Sequence, residues 1–211
     1  MKKVIVMVTV MMVLVLHATS YAFLVDFEDG VDGANVNDIL GVSFLSFNGF
    51  EPLYADCRAG LYNCFSDDLG YGNGSQNYHH YGNFTVWAGP QADAQGVKVD
   101  FTNNDGTWFT TGYSSFSNFT LEAWLTDGSM VSTLGAANTG GPMQFLTVNA
   151  TSGLFIDYLV LHDTGNYWIV DNMSGDASGV NPVPEPTTLF LLGIGVIGIL
   201  ALRKNIYARY I

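Results

Sequence analysis

Hydrophobic and polar residues alternate with a period of two along much of the chain between residues 23 and 180. In one run, a single strand face would carry Phe119, Leu121, Ala123 and Leu125, because successive side chains of a strand point to opposite sides. Similar runs predict about nine strands, at 23–27, 42–47, 84–87, 97–101, 119–125, 130–134, 144–148, 155–161 and 167–170. Turn sequences such as Asp127-Gly128 separate them, and no convincing helical period occurs. We therefore predict an all-β domain over 23–180, an antiparallel, jelly-roll-like sandwich.

The N-terminal end, residues 1–22, reads as a signal peptide. It combines Met1-Lys2-Lys3, an apolar run from Val4 to Leu16, and the small residues Ser20 and Ala22 at the −3 and −1 positions of a cleavage site. The alternative is a membrane anchor. A helix over that run would rise only about 20 Å, which is short for a bilayer core of about 30 Å.

The C-terminal end, residues 181–211, has three parts. Three prolines at 182, 184 and 186 predict an extended hinge, because proline cannot continue a helix or a central strand. The uncharged segment 187–202 follows, which we interpret as a transmembrane helix slightly under the usual span of about 20 residues. The basic residues Arg203, Lys204 and Arg209 would then hold the far end on the cytoplasmic side.

The sequence Val183-Pro184-Glu185-Pro186, with the apolar segment and basic end behind it, resembles a PEP-CTERM sorting tail. The resemblance implies a Gram-negative, exopolysaccharide-producing host. It also implies that an exosortase-type protease in the inner membrane recognises the tail. The precursor would be anchored in that membrane, and the protein then released or transferred to the cell surface or extracellular matrix. The alternative is a plain single-pass anchor behind a proline linker.

The net charge of the chain restricts the kinds of molecule that it can bind. The whole chain has a net charge of −12, and residues 23–180 hold two cations, Arg58 and Lys98, against 18 acids, which gives −16. Nucleic-acid binding is excluded, because phosphate contacts need clustered lysine and arginine. A strongly acidic domain favours solubility or divalent-cation binding.

The two ends of the domain also resemble PEP-CTERM ectodomains. The opening Asp26-Phe27-Glu28-Asp29-Gly30 and the closing Trp168-Ile169-Val170-Asp171-Asn172-Met173 match their first and last strands. The resemblance implies a sandwich related to carbohydrate-binding modules, with those strands side by side. If those strands are neighbours, the carboxylates at their ends lie close together. Carboxylate oxygens are suitable ligands for Ca²⁺. We predict a calcium site formed by Asp26, Glu28, Asp29 and Asp171; the alternative is a set of exposed strand-end acids without a metal.

The two cysteines, Cys57 and Cys64, predict a disulfide in an exported protein. The alternative, a redox pair, would have the tighter Cys-x-x-Cys spacing.

His79 and His80 lie in a polar stretch, 70–81, that we predict to be a long mobile loop. No cysteine or acid stands at a zinc-like spacing, and His162 is distant, so no zinc site is predicted.

Aromatic rings suggest a glycan ligand, because they offer flat apolar platforms for sugar rings. The candidates are Tyr71, Tyr78, Tyr81, Trp87 and Trp108; the alternative is that they form part of the hydrophobic core.

No nucleophile elbow, zinc-protease motif or phosphate loop occurs, and no catalytic residue is predicted. The sequence thus predicts an exported, non-catalytic surface or matrix protein associated with exopolysaccharide. The alternatives are a carbohydrate-binding module with a defined glycan and a polysaccharide-active enzyme.

Overall fold

A computed structural model of the chain describes residues 23–59, 62–72, 77–90, 96–165 and 167–178. The predicted signal peptide (1–22) lies outside the described residues. So does the predicted sorting tail (181–211), with its Val183-Pro184-Glu185-Pro186 motif and its basic end. Among the described residues, no helix combines the length and apolar character needed to cross a membrane.

The described residues form fourteen strands and one 3₁₀ turn, Cys57–Ala59. The strands are β1 Phe23–Val25, β2 Asp38–Ile39, β3 Val42–Ser46, β4 Leu53–Asp56, β5 Cys64–Ser66, β6 Tyr78–His80, β7 Phe84–Trp87, β8 Val97–Phe101, β9 Trp108–Ser115, β10 Phe119–Leu125, β11 Met130–Gly135, β12 Gln144–Asn149, β13 Ile156–His162 and β14 Trp168–Gly175. All nine predicted strands are present, with ends shifted by five residues or fewer.

Two six-stranded antiparallel sheets make up the sandwich. Sheet A has the order β12-β9-β14-β7-β4, and β1 also pairs with β14. Sheet B has the order β11-β10-β13-β8-β3-β2. The first and last strands lie side by side, since Phe23 pairs with Gly175 and Val25 with Met173. The predicted all-β sandwich is therefore confirmed.

The core lies between the inward faces of the two sheets, where aromatic rings join them. Phe119 of sheet B stacks on Tyr113 of sheet A with ring centroids 5.0 Å apart, and meets Trp168 edge-on at 5.4 Å. The β10 face predicted from the alternation is buried at all four positions, Phe119, Leu121, Ala123 and Leu125. Burial of these apolar faces is the main stabilising term of such a fold.

A third, smaller layer covers the outward face of sheet A. It comprises residues 57–59, 62–72 and 77–83, called here the covering layer, and contains the parallel pair β5–β6. Cys57, Cys64 and the outward-facing Ile169 of sheet A form a second buried cluster, apart from the main core. The prediction of a mobile loop over 70–81 is wrong for its last residues. There β6 pairs with β5, and His80 is fully buried.

Candidate functional site

A cavity of about 350 Å³ lies between the covering layer and sheet A. We call it the aromatic cavity, because its lining includes Tyr62, Tyr78, Trp87, Tyr167 and Trp168, together with Pro90 and Ile169. Tyr62 meets Trp87 edge-on at 6.0 Å. At the rim, Tyr167 is 60% exposed and its ring lies 6.4 Å from that of Phe116, which is 69% exposed. Exposed aromatic rings beside an apolar cavity are typical of ligand sites.

Strand alternation and the disulfide together build this cavity. On β14, Trp168 and Val170 belong to the main core, so Ile169 points to the other side of the sheet. Ile169 is paired with Trp87 on β7, and cross-strand partners share a face. The predicted disulfide is confirmed: it joins Cys57 to Cys64 with Cα atoms 5.6 Å apart. This bridge closes the segment that carries Tyr62.

Two phenol groups of the cavity, those of Tyr62 and Tyr78, stay neutral. Burial, with smaller contributions from Asp163 and Tyr167, raises the pKa of Tyr78 to about 12. Burial and the nearby Asp32 carboxylate also raise the pKa of Tyr62. At neutral pH both hydroxyls can donate or accept a hydrogen bond without carrying charge.

Three buried polar atoms near the cavity have no hydrogen-bond partner among the described residues. They are Trp168 Nε1, whose ring packs in the main core, Ser114 Oγ on the strand beside Ile169, and Asn77 Nδ2 just before Tyr78. Buried polar groups are almost always paired, and leaving one unpaired costs about 1–3 kcal/mol. All three residues are almost completely buried, which places these atoms in the packed interior behind the cavity wall.

A second cavity of about 340 Å³ adjoins the first, and Pro90 lines both. We call it the Phe50 cavity; its lining also includes Leu53, Gly89, Asn35 and Glu51. Phe50 is half exposed. The Glu51 carboxylate accepts a hydrogen bond from the Asn35 side chain. The two cavities form neighbouring compartments on one side of the sandwich.

Acidic side chains gather at the end of β1. Asp26 and Glu28 line a third cavity of about 290 Å³, together with Asp68 and Asn172. Asp68 was not predicted, since it follows β5 far along the chain. Asp29 does not line this cavity, and its charge acts instead on Tyr54. Asp171 adjoins the cluster and is fully buried.

The carboxylates of this cluster already accept protein hydrogen bonds. Glu28 accepts from Asn83 N at 2.8 Å, from Asn83 Nδ2 at 2.9 Å and from Phe84 N at 3.2 Å. Asp171 accepts from Tyr81 N at 2.9 Å and Asn172 N at 2.7 Å. Burial raises the pKa of Asp171 well above its usual range, helped by the charges of Glu28 and Asp26. The calcium site stays a prediction.

Within the described ranges, one group of three His, Cys or acidic side chains has all its ligand atoms within 4.8 Å of one another: Cys57, Cys64 and His80. Both sulfurs belong to the disulfide. They therefore cannot act as thiolate ligands while that bond is intact.

The five predicted aromatic residues separate in the structure. Tyr78 and Trp87 line the aromatic cavity, and Tyr71 packs on the adjoining buried cluster. Tyr81 stacks on Phe145 at 6.2 Å, and Trp108 begins β9, away from this lining.

The sequence prediction missed Tyr62 and Tyr167, although Tyr62 stands inside the Cys57–Cys64 loop. It also missed an aromatic stack on the outward face of sheet B. There the Trp124 and Tyr158 rings lie 5.8 Å apart, and Lys98 Nζ lies 4.3 Å from the Tyr158 ring centre. Strand alternation places Trp124 opposite the buried face of β10, and this signal could have identified it.

Comparison with known proteins adds one family motif. The chain carries a PEP-CTERM protein-sorting motif at residues 182–205, as the sequence predicted. The motif implies an exported protein that an exosortase, a membrane protein, recognises. Comparison with curated protein sequences gives no match.

Among solved structures, the chain is similar to CBM29_1, a family 29 carbohydrate-binding module from Piromyces equi. That match has 9% identity and a TM-score of 0.39, over 74% of this chain and 91% of the other. A second similar structure is the Podospora anserina GH26-CBM35 β-(1,4)-mannanase, at 12% identity and a TM-score of 0.32. It covers 79% of this chain and 29% of the other.

Proposed function

We propose that this chain is an exported, non-catalytic protein of the cell surface or extracellular matrix. An exosortase-type protease processes its tail, and the β-sandwich associates with exopolysaccharide outside the cell. The observation that carries this proposal is the sorting motif at 182–205. The disulfide is consistent with it, because such bonds persist in oxidising compartments outside the cytoplasm.

The mass of the mature protein in its native host tests this proposal. We expect a loss of residues 1–22 and a second cut in or near the sorting motif. A variant with Pro184, Glu185 and Pro186 replaced by alanine should stay in the inner membrane at a higher mass. Replacement of Tyr207 by alanine, beyond the matched motif at residues 182–205, serves as the control. An intact C-terminus, with all the protein in the inner membrane, would support a plain anchor instead.

Glycan binding with a defined ligand is the second candidate function, and the aromatic cavity favours it. Tyrosine hydroxyls and aromatic faces meet there, and sugars present both hydroxyls and apolar C–H faces. The mature protein should therefore be retained on exopolysaccharide purified from the host. Release of reducing ends during incubation, abolished by a single carboxylate substitution, would show an enzyme and contradict the non-catalytic proposal.

A further inference from the structure

We infer that the aromatic cavity and the Phe50 cavity together hold a segment of an uncharged polysaccharide chain that passes over Pro90. This inference rests on the proposed association with exopolysaccharide and specifies its ligand. It makes two claims about the ligand: it is extended over several sugar units, and it carries no acidic groups.

The extension follows from the shared wall between the two cavities. Pro90 lines both, and their volumes are about 350 and 340 Å³. Each reaches the lower end of the usual range for ligand pockets, roughly 300–1,000 Å³. A chain crossing Pro90 would contact Trp87 on one side and Phe50 on the other.

The lining of the aromatic cavity suits the two kinds of surface that a sugar presents. The hydroxyl of Tyr78 can donate or accept a hydrogen bond, so it can pair with a sugar hydroxyl or ring oxygen. The rings of Trp87, Tyr62 and Tyr167 offer apolar surface to the C–H groups of the sugar ring.

The restriction to uncharged chains follows from where the cations are. Arg58 pairs with Asp56 at 2.7 Å, and its guanidinium lies 5.3 Å from the Phe84 ring centre. Lys98 pairs with Asp100 at 2.8 Å on sheet B. Neither residue lines the two cavities, whereas Glu51 does. A uronate chain would therefore meet like charge without a compensating cation.

Calorimetry on the mature protein purified from its host tests both claims. The probes are uncharged dimers and hexamers of glucose, mannose, galactose and xylose, with galacturonate and mannuronate hexamers as the charged set. We expect at least one uncharged hexamer to bind about tenfold or more tightly than its dimer, and neither uronate hexamer to bind detectably.

Two substitutions assign the binding to the two cavities. Trp87→Ala should weaken hexamer binding by about 30-fold, the size typical of a buried aromatic anchor. Phe50→Ala should reduce the gain from dimer to hexamer, because it removes the aromatic ring of the second cavity. Phe47→Ala is the matched control for Phe50, because the two rings are 48% and 49% exposed and Phe47 lines neither cavity. Since Phe50 lies at the surface, its variant stays informative if the Trp87 variant does not fold.

Three results would overturn the inference: no binding of any uncharged hexamer, preferential binding of a uronate hexamer, or equal affinity for dimer and hexamer. Retention on the host exopolysaccharide separates this failure from that of the proposed function. A protein that is retained there but gives one of these three results contradicts only the inference. A protein that is not retained contradicts the proposed association itself.

Discussion

His80 is the residue whose setting departs most from its predicted one. It is a fully buried residue of the covering layer, its Nδ1 lies 2.8 Å from the Tyr81 carbonyl oxygen, and its Nε2 has no partner among the described residues. Burial lowers the pKa of His80, and the nearby carboxylates of Glu28, Asp68 and Asp67 offset part of that effect. The folded protein therefore holds this imidazole neutral, and acidification should destabilise it.

The direction of this pH effect follows from the difference in proton uptake between the folded and the unfolded chain. Below about pH 6.5 the unfolded chain protonates this histidine while the folded chain does not, so stability falls as the pH drops from about 6.5 toward the folded pKa. Asp171 acts in the opposite direction, because its pKa is raised. Urea unfolding at pH 7.5 and 5.0 should show a smaller acid-induced loss for His80→Gln than for the wild type. Equal losses in the two proteins would refute this account.

Glu28 is a second residue whose role depends on its neighbours. Its carboxylate accepts three N–H groups of Asn83 and Phe84, and a side chain at Gly82 would collide with it. We expect Glu28→Ala to lower the free energy of unfolding by about 2 kcal/mol or more, because the loop donors lose their acceptor. Asp29→Ala, next to it but exposed, should change stability by about 0.5 kcal/mol or less. Equal effects on denaturant unfolding would mean that Glu28 does not clamp this loop.

At the scale of elements, the strands that alternate clearly could be predicted, and the others could not. The pattern over Phe119–Leu125 predicts β10 from end to end. The central strand β9, Trp108–Ser115, was missed, because its sequence is rich in threonine, serine and glycine. Small residues are required there. A side chain at Gly112 would collide with Met143, and Ser114 shares a face with Ile169 beneath the covering layer.

The covering layer could not be predicted for a related reason. Its strands β5 and β6 have three residues each and pair in parallel, so neither length nor alternation reveals them. The aromatic cavity depends on this layer for Tyr62 and Tyr78, while Trp87 and Ile169 come from sheet A. Of the aromatic residues that line the cavity, only Tyr78 and Trp87 were identified from the sequence as candidates.

The disulfide should stabilise the covering layer mainly through the unfolded state. Closing a loop of about eight residues contributes roughly 2.5 kcal/mol by chain entropy. Reduction should therefore lower the free energy of unfolding by about this amount, and the urea m-value should rise because the unfolded chain becomes less compact. The double variant Cys57→Ala/Cys64→Ala should be insensitive to reductant. A wild type that is equally insensitive, with its thiols shown to be free, would refute the assignment.

At the scale of the whole molecule, acidic charge dominates. Residues 23–180 carry −16, and the two cations are already paired with Asp56 and Asp100. Such self-repulsion opposes the compact state. Any cation should relieve it by screening, whereas a calcium ion held at the β1–β14 junction would add a specific effect. The two contributions can be separated, because screening depends on ionic strength and specific binding depends on particular carboxylates.

We expect the thermal midpoint of the mature protein in 10 mM CaCl₂ to exceed its value in NaCl of equal ionic strength by about 5 °C or more. Such a shift corresponds to roughly 2 kcal/mol of stabilisation by calcium binding to the folded state. Asp26→Asn/Asp68→Asn removes two acids that line the third cavity and should abolish this excess. Asp38→Asn/Asp127→Asn removes the same charge at exposed positions elsewhere and should preserve it. If CaCl₂ and NaCl act alike, or if both double variants lose the excess equally, the acids at this junction serve only as hydrogen-bond acceptors. The predicted calcium site would then be wrong, although the pairing of β1 with β14 would stand.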